Sequence, residues 1–198
     1  MPNKEIHKGI PAVQAADRSG WRKWLLKNHL KEKSVWLIIY HKQSKKKTIY
    51  YPEAVEEALC FGWIDSKPNK RDSESYYLYF APRKIKSVWS KINKIRVTKL
   101  LDAGMMTPAG QAQIDMAMSN GSWDALNEID AMVIPDDLKK AFARNKKALL
   151  NFASFPPSSK KIILHWVRSA KQEVTRKKRI KLAVSLAAKN IRANQYSR

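Results

Sequence analysis

Cysteine is almost missing from this chain of 198 residues: Cys60 stands alone, so no disulfide can form within the chain and a reducing, cytoplasmic compartment fits best. Long apolar runs are missing too. The longest, Val35-Trp-Leu-Ile-Ile-Tyr40, is far short of the roughly 20 residues that cross a bilayer. The opening stretch from Met1 to Ile10 has no apolar core of the kind a secretory signal carries, so export by that route is not expected. Glycine is scarce, and its 6 copies never cluster, which excludes a glycine-rich phosphate loop. His7, His29, His41 and His165 are scattered without H-x-x-x-H or paired C-x-x-C spacing, so no zinc site is indicated. Ser44/Lys47 and Ser158/Lys161 match a serine–lysine hydrolase spacing only as chance pairs in a lysine-rich chain. No catalytic constellation and no cofactor site emerges.

Acidic residues are also few. Lys and Arg number 39 against 17 Asp and Glu, a net charge of +22. Residues 1–100 hold 22 basic and 9 acidic groups, residues 101–150 hold 5 and 7, and residues 151–198 hold 12 and 1. The excess therefore sits at both ends, and it points to an anionic macromolecule as partner. Nucleic acid is the favoured class, with anionic lipid or an outer-membrane porin as the alternative. Aromatics divide differently: 13 of 19 lie in the first hundred residues, which places the larger core there.

Ser19 can cap a first helix, in which Trp21, Trp24, Leu25 and Asn28 fall on one face. Val35–Tyr40 reads as a strand covered on both sides. Pro52 opens a helix that runs to about Phe61 and ends at Gly62. Two extended segments follow, around Ile64–Lys67 and Tyr76–Phe80, and then a helix capped near Ser90 and stopped near Gly104. The remainder reads as helical, with starts at Thr107-Pro108, Pro135-Asp136, near Pro157 and near Thr175. The fold class is α+β, an antiparallel sheet packed with helices and followed by a small all-helical domain. The division expected is 1–105 for the α+β part, 106–134 for a helix and acidic linker, and 135–198 for a basic helical domain.

Three features invite chemistry. Glu53, Glu56, Glu57 and Cys60 share a helix face, which either sets carboxylates and a thiol around a cation or, the better reading, is a solvated acidic surface beside a structural cysteine, its thiol raised rather than activated. Tyr77 and Tyr79 point to the sheet face opposite Tyr76, Leu78 and Phe80; left uncovered, with Arg83 beside them, they form a base-stacking platform, and otherwise a helix covers them. On the last helix, Ile180, Ala183, Val184, Ala187 and Ile191 make an apolar stripe, with Lys178, Lys181, Lys189 and Arg192 opposite as candidate anion contacts. That stripe either docks on a helical core or lies on anionic lipid.

The string Glu57-Ala-Leu-Cys-Phe-Gly-Trp-Ile-Asp65, with Pro82-Arg83, Ser87-Val-Trp-Ser-Lys-Ile-Asn93 and Gly104-Met-Met-Thr-Pro-Ala-Gly110, resembles the bacteriocin-protection family of YdeI/OmpD-associated proteins. The resemblance runs nearly end to end, from Trp21-Arg-Lys-Trp24 and Ser34-Val-Trp-Leu37 to Ser169-Ala170-Lys171 and Thr175-Arg176. It implies a YjbR/CyaY-like α+β domain followed by a helical OmdA-type module. It also implies a role in stress or bacteriocin protection and a link to a porin, and a related branch of the fold is described as DNA-binding. If the shared motifs surround a binding site, its members are Trp63, Asp65, Arg83, Trp89, Ser90 and Asn93. Trp63 and Trp89 equally suit core positions, Ser90 an N-cap and Asp65 a turn.

Overall fold

The computed structural model describes residues 5–195. They divide into two compact units, one up to Asp124 and one from Ala125 onward. The first unit is built on a five-stranded sheet in the order β1-β2-β3-β5-β4, made of β1 (Ile6–His7), β2 (Ile10–Gln14), β3 (Val35–Tyr40), β4 (Trp63–Lys70) and β5 (Ser75–Pro82). β3 is buried along its whole length, as its unbroken apolar run requires. The β3–β5 and β4–β5 pairs are antiparallel, whereas β2 runs parallel to β3, so the sheet is mixed and not purely antiparallel. β1 and β2 carried no strand signal, because Ile10-Pro-Ala-Val-Gln14 is short and holds a proline. A two-residue turn joins them, with Lys8 and Gly9 both at positive φ.

Four helices complete this unit: α1 (Arg18–Asn28), α2 (Tyr51–Cys60), α3 (Lys91–Asp102) and α4 (Pro108–Ser119). Asp17, not Ser19, caps α1, its carboxylate accepting from the Gly20 amide at 2.7 Å. Ser90 and Thr107 cap α3 and α4 as the sequence predicts, and Pro52 sits in the first turn of α2. Leu37, Ile39, Leu78 and Phe80 on one sheet face join Trp21, Leu25, Val55, Leu59 and Trp89 in the main core. Ile114 and Ala117 of α4 belong to the same core.

α2 is the hub, packing against α1, α3, α4 and β4. Its Glu57 is not solvated as its polar stripe suggested: the carboxylate is fully buried, receiving Arg18 Nε at 2.6 Å and an Arg22 guanidinium nitrogen at 2.7 Å. The other Arg22 nitrogen donates to the Met105 carbonyl at 2.8 Å, which ties the α3–α4 connection to α1 and α2. Gly62, at φ +73°, turns the chain from α2 into β4. Gly110 lets α4 close on α2, because a Cβ there would collide with the Cys60 carbonyl.

The opposite sheet face carries Ala12, Trp36, Ile38, Tyr40 and Tyr77, with Tyr79 against them. Among the described residues it is the β1–β2 hairpin, and no helix, that lies over it. His7 stacks on Tyr77 with ring centroids 4.1 Å apart and meets Trp36 edge-on at 4.9 Å. Glu5 fastens the hairpin down by accepting from the Tyr77 hydroxyl and from two Arg71 nitrogens, each at 2.8 Å.

The second unit consists of α5 (Asn127–Asp130), α6 (Asp136–Ala143), α7 (Lys146–Ser154), α8 (Pro157–Arg168) and α9 (Glu173–Ala188). Their shared core is Leu138, Phe142, Phe152, Phe155, Leu164 and Val167 with Ile180, Ala183 and Ala187. Phe142 and Phe152 pack with centroids 4.7 Å apart. α7, capped by Asn145, gave no separate sequence signal, because one short connection separates it from α6. α9 ends at Ala188, so Ile191 lies beyond the helix, about half exposed at 49%, and is not part of its apolar stripe.

Two predictions test these ties. Glu57→Gln removes the buried charge from two arginines and is expected to cost about 3 kcal/mol, read as a lower urea midpoint with unchanged slope. Arg71 chiefly holds the Glu5 carboxyl below its ordinary value of 4.5. The stabilisation this gives is present above that ordinary value and lost as pH falls through the lowered one. The protection factors of the β2 amides, their exchange relative to an unstructured chain at the same pH, should therefore fall on acidification, and Glu5→Gln should show the lower protection already at pH 7.

Candidate anion-binding site

The six candidate binding residues of the first unit are close in the fold, yet most are consumed by structure. Trp63 is buried between α1 and the sheet, its indole nitrogen donating to the His29 carbonyl at 3.2 Å and its ring meeting Trp24 edge-on. Trp89 is buried beneath Arg83, whose guanidinium carbon stands 3.8 Å from the ring centroid. Arg83 also donates to the Val88 carbonyl at 2.9 Å, clamping the segment between β5 and α3. Burial pulls its guanidinium down to about 10, and nearby Asp65 works against that shift. Ser90 is the N-cap of α3, and Asn93 accepts from Arg96 at 2.9 Å.

Asp65 lines a cleft. It accepts from the Tyr51 hydroxyl at 2.9 Å at one end of this space of about 810 Å³, which also takes in Pro68, Lys70, Tyr76 and Leu78. Burial first, and then Asp65, pushes Tyr51 up to about 12, so its hydroxyl remains a donor across the physiological range. Asp65 and Asp72 share this cleft with His41 and Lys70, so its charge is mixed.

Tyr77 and Tyr79 do not form an open stacking platform. Tyr77 is buried under His7, with its hydroxyl committed to Glu5, and Tyr79 is half-buried against Trp36. The cover is a hairpin, where the sequence offered only an open face or a helix.

Cys60 is free and fully buried. Burial first, and then Glu57, raises its thiol to about 11, which leaves it protonated and unreactive at neutral pH. Among the described residues no group of three His, Cys, Asp or Glu side chains is placed to hold a metal ion. No helix of the described residues is long and apolar enough to cross a membrane.

The second unit concentrates charge differently. Its residues include 17 Lys and Arg against 5 Asp and Glu. Four of those carboxylates are each spent on one cation, in the pairs Glu128–Arg168, Asp130–Lys161, Asp137–Arg176 and Glu173–Lys177. Lys178, Lys181, Lys189 and Arg192 are exposed, as the sequence predicts. Lys178 and Lys181 lie on α9, Lys189 caps its end, and Arg192 falls beyond it rather than on its face. Sequence reading of α9 alone missed its partner, α6. Between the two lies a groove of about 890 Å³, with Ala141, Ile180, Val184 and Ala188 along it and Lys140, Arg144, Lys181 and Lys189 at its sides. Lys140 and the α6 C-cap Arg144 are four residues apart, a spacing visible in the sequence but silent without knowing what α6 faces.

The thiol makes a direct check. A thiol-reactive disulfide reagent should leave Cys60 unmodified in the native protein at pH 7.5 and react fully in 6 M guanidinium; fast native reaction would contradict its burial.

Comparison with known proteins divides the chain in the same region. Residues 131–190 match the family model described as bacteriocin-protection, YdeI or OmpD-associated. No curated protein and no solved structure matches the chain significantly. Residues 13–113, just over half of the chain, match a domain of unknown function, DUF8412, from the parallel strand β2 to the middle of α4, and it is to this family that the chain belongs.

Proposed function

We propose that this is a non-catalytic protection protein whose second unit holds an anionic macromolecule. The observation that carries the reading is the α6–α9 groove: Lys140, Arg144, Lys181 and Lys189 flank it, and the described residues pair none of the four with a carboxylate. Unpaired cations gathered along one groove raise the local potential and draw in polyanions. The family match over residues 131–190 supports a protection role for the same unit.

For nucleic acid, the favoured partner on charge alone, this reading keeps phosphate contacts and loses base stacking, since Tyr77 is covered. For a membrane, it keeps the attraction of lysines to anionic headgroups and loses insertion, because Ile180, Ala183 and Ala187 face the core. A YjbR/CyaY-like origin for the first unit is part of the proposal, supported by its α+β sheet with helices. A reducing compartment suits the free Cys60 thiol.

The test is fluorescence anisotropy with labelled poly-glutamate and 20-nucleotide single-stranded DNA across a salt series. The wild-type protein should bind at 100 mM salt. The Lys178→Glu, Lys181→Glu, Lys189→Glu variant should lose at least tenfold in affinity and show a log–log salt slope flatter by about 2 for DNA. Equal affinity of wild type and variant would place the contact elsewhere, and no binding of either polyanion would end the reading.

A further inference from the structure

The groove between α6 and α9 has a chemistry more particular than positive charge. Its cations stand on both sides: Lys140 on α6 with Arg144 capping that helix's end, and Lys181 on α9 with Lys189 capping its end. Between these two rims the lining is apolar, made by half-buried Ala141, Val184 and Ala188 over buried Ile180. The charge is also graded along the groove. At the end where both helices begin, Asp137 takes Arg176 through two bonds, at 2.6 and 2.9 Å, and Glu173 takes Lys177, so that end is neutral. Farther along, the four cations carry no carboxylate partner among the described residues. Lys181 and Lys189 are eight residues apart, about 12 Å along a helix.

A phosphate backbone answers the rims and offers nothing to the floor. A lipid headgroup does the same, and its acyl chains would have to bend into a groove whose walls are charged. An amphipathic helix with an apolar stripe bordered on both sides by Asp and Glu answers rims and floor together, the helix-in-groove mode of recognition. Resting on the reading of this unit as an anion-binding module, we propose that the α6–α9 groove is the docking site for an acidic amphipathic segment of a protein partner. Its apolar residues lie on Val184 and Ala188, and its carboxylates gather toward the Arg144 and Lys189 end. The floor supplies specificity, because an acidic chain lacking the stripe leaves Val184 and Ala188 in water.

The experiment uses four labelled probes on the full chain: a 16-residue Leu/Glu peptide with helical amphipathic spacing, the same composition scrambled, a 16-residue oligo-glutamate, and 20-nucleotide single-stranded DNA. The amphipathic peptide should bind at least tenfold tighter than the scrambled peptide and the oligo-glutamate, and tighter than the DNA. Ser185→Trp fills the groove from an exposed position without changing charge. It should weaken the amphipathic peptide at least tenfold and leave oligo-glutamate within twofold. Val184→Asp should do the same for the peptide, and circular dichroism and the melting temperature show whether either variant is folded. Equal binding of amphipathic and scrambled peptides would overturn the docking proposal and leave the anion-binding reading standing. So would tightest binding of DNA unaffected by Ser185→Trp, which would mark a phosphate-binding surface. No binding of any probe would end both.

Discussion

Glu57 is a full charge placed where water does not reach, and much of the first unit is arranged around that fact. A carboxylate taken out of water is costly unless it is paired and hydrogen-bonded. Arg18 and Arg22, one turn apart on α1, meet that demand from one side. Arg22 then carries the tie onward to the backbone at Met105, while Arg18 adds Glu56 at 3.0 Å. Three segments distant in sequence are thereby held in one register: α1, α2 and the α3–α4 connection. Trp21 closes the same junction, its indole nitrogen donating to the Ala54 carbonyl at 3.0 Å.

That junction explains what the string from Glu57 to Asp65 encodes. Ala58 and Leu59 are core, Cys60 offers its carbonyl to the Thr107 hydroxyl at 2.6 Å, Gly62 makes the left-handed turn, and Trp63 bridges to α1. The residues that make the family resemblance specific are thus chiefly those that assemble the fold. The four cations that flank the α6–α9 groove lie in the other unit, where few of them belong to any readable motif.

How much could be read in advance follows from which interactions are local. Caps and turns are local, so Ser90, Thr107, Pro52 and Gly62 were legible, and so was the buried run of β3. Burial of a charge is not local: Glu57 looks like its exposed neighbours until Arg18 and Arg22 come near. The β1–β2 hairpin escaped for a related reason, because its stability resides in Glu5, His7 and their partners more than sixty residues away. The exposed lysines of α9 were visible from their spacing. The groove they border needs the packing of α6 beside them.

The two edges of the sheet carry a further consequence. Strands such as β3 and β5, dense in aromatic and branched residues, are of the kind that recruit other chains when an edge is left open. One outer strand here, β1, is two residues long and ends in a tight turn. The other, β4, is interrupted by a bulge between Asp65 and Pro68 and carries Lys67, Pro68 and Lys70 in its outer half. A short strand, a proline without an amide hydrogen and two charges leave no long flat ladder for a second molecule to continue. An apolar, aromatic sheet is in this way kept from growing into an intermolecular one.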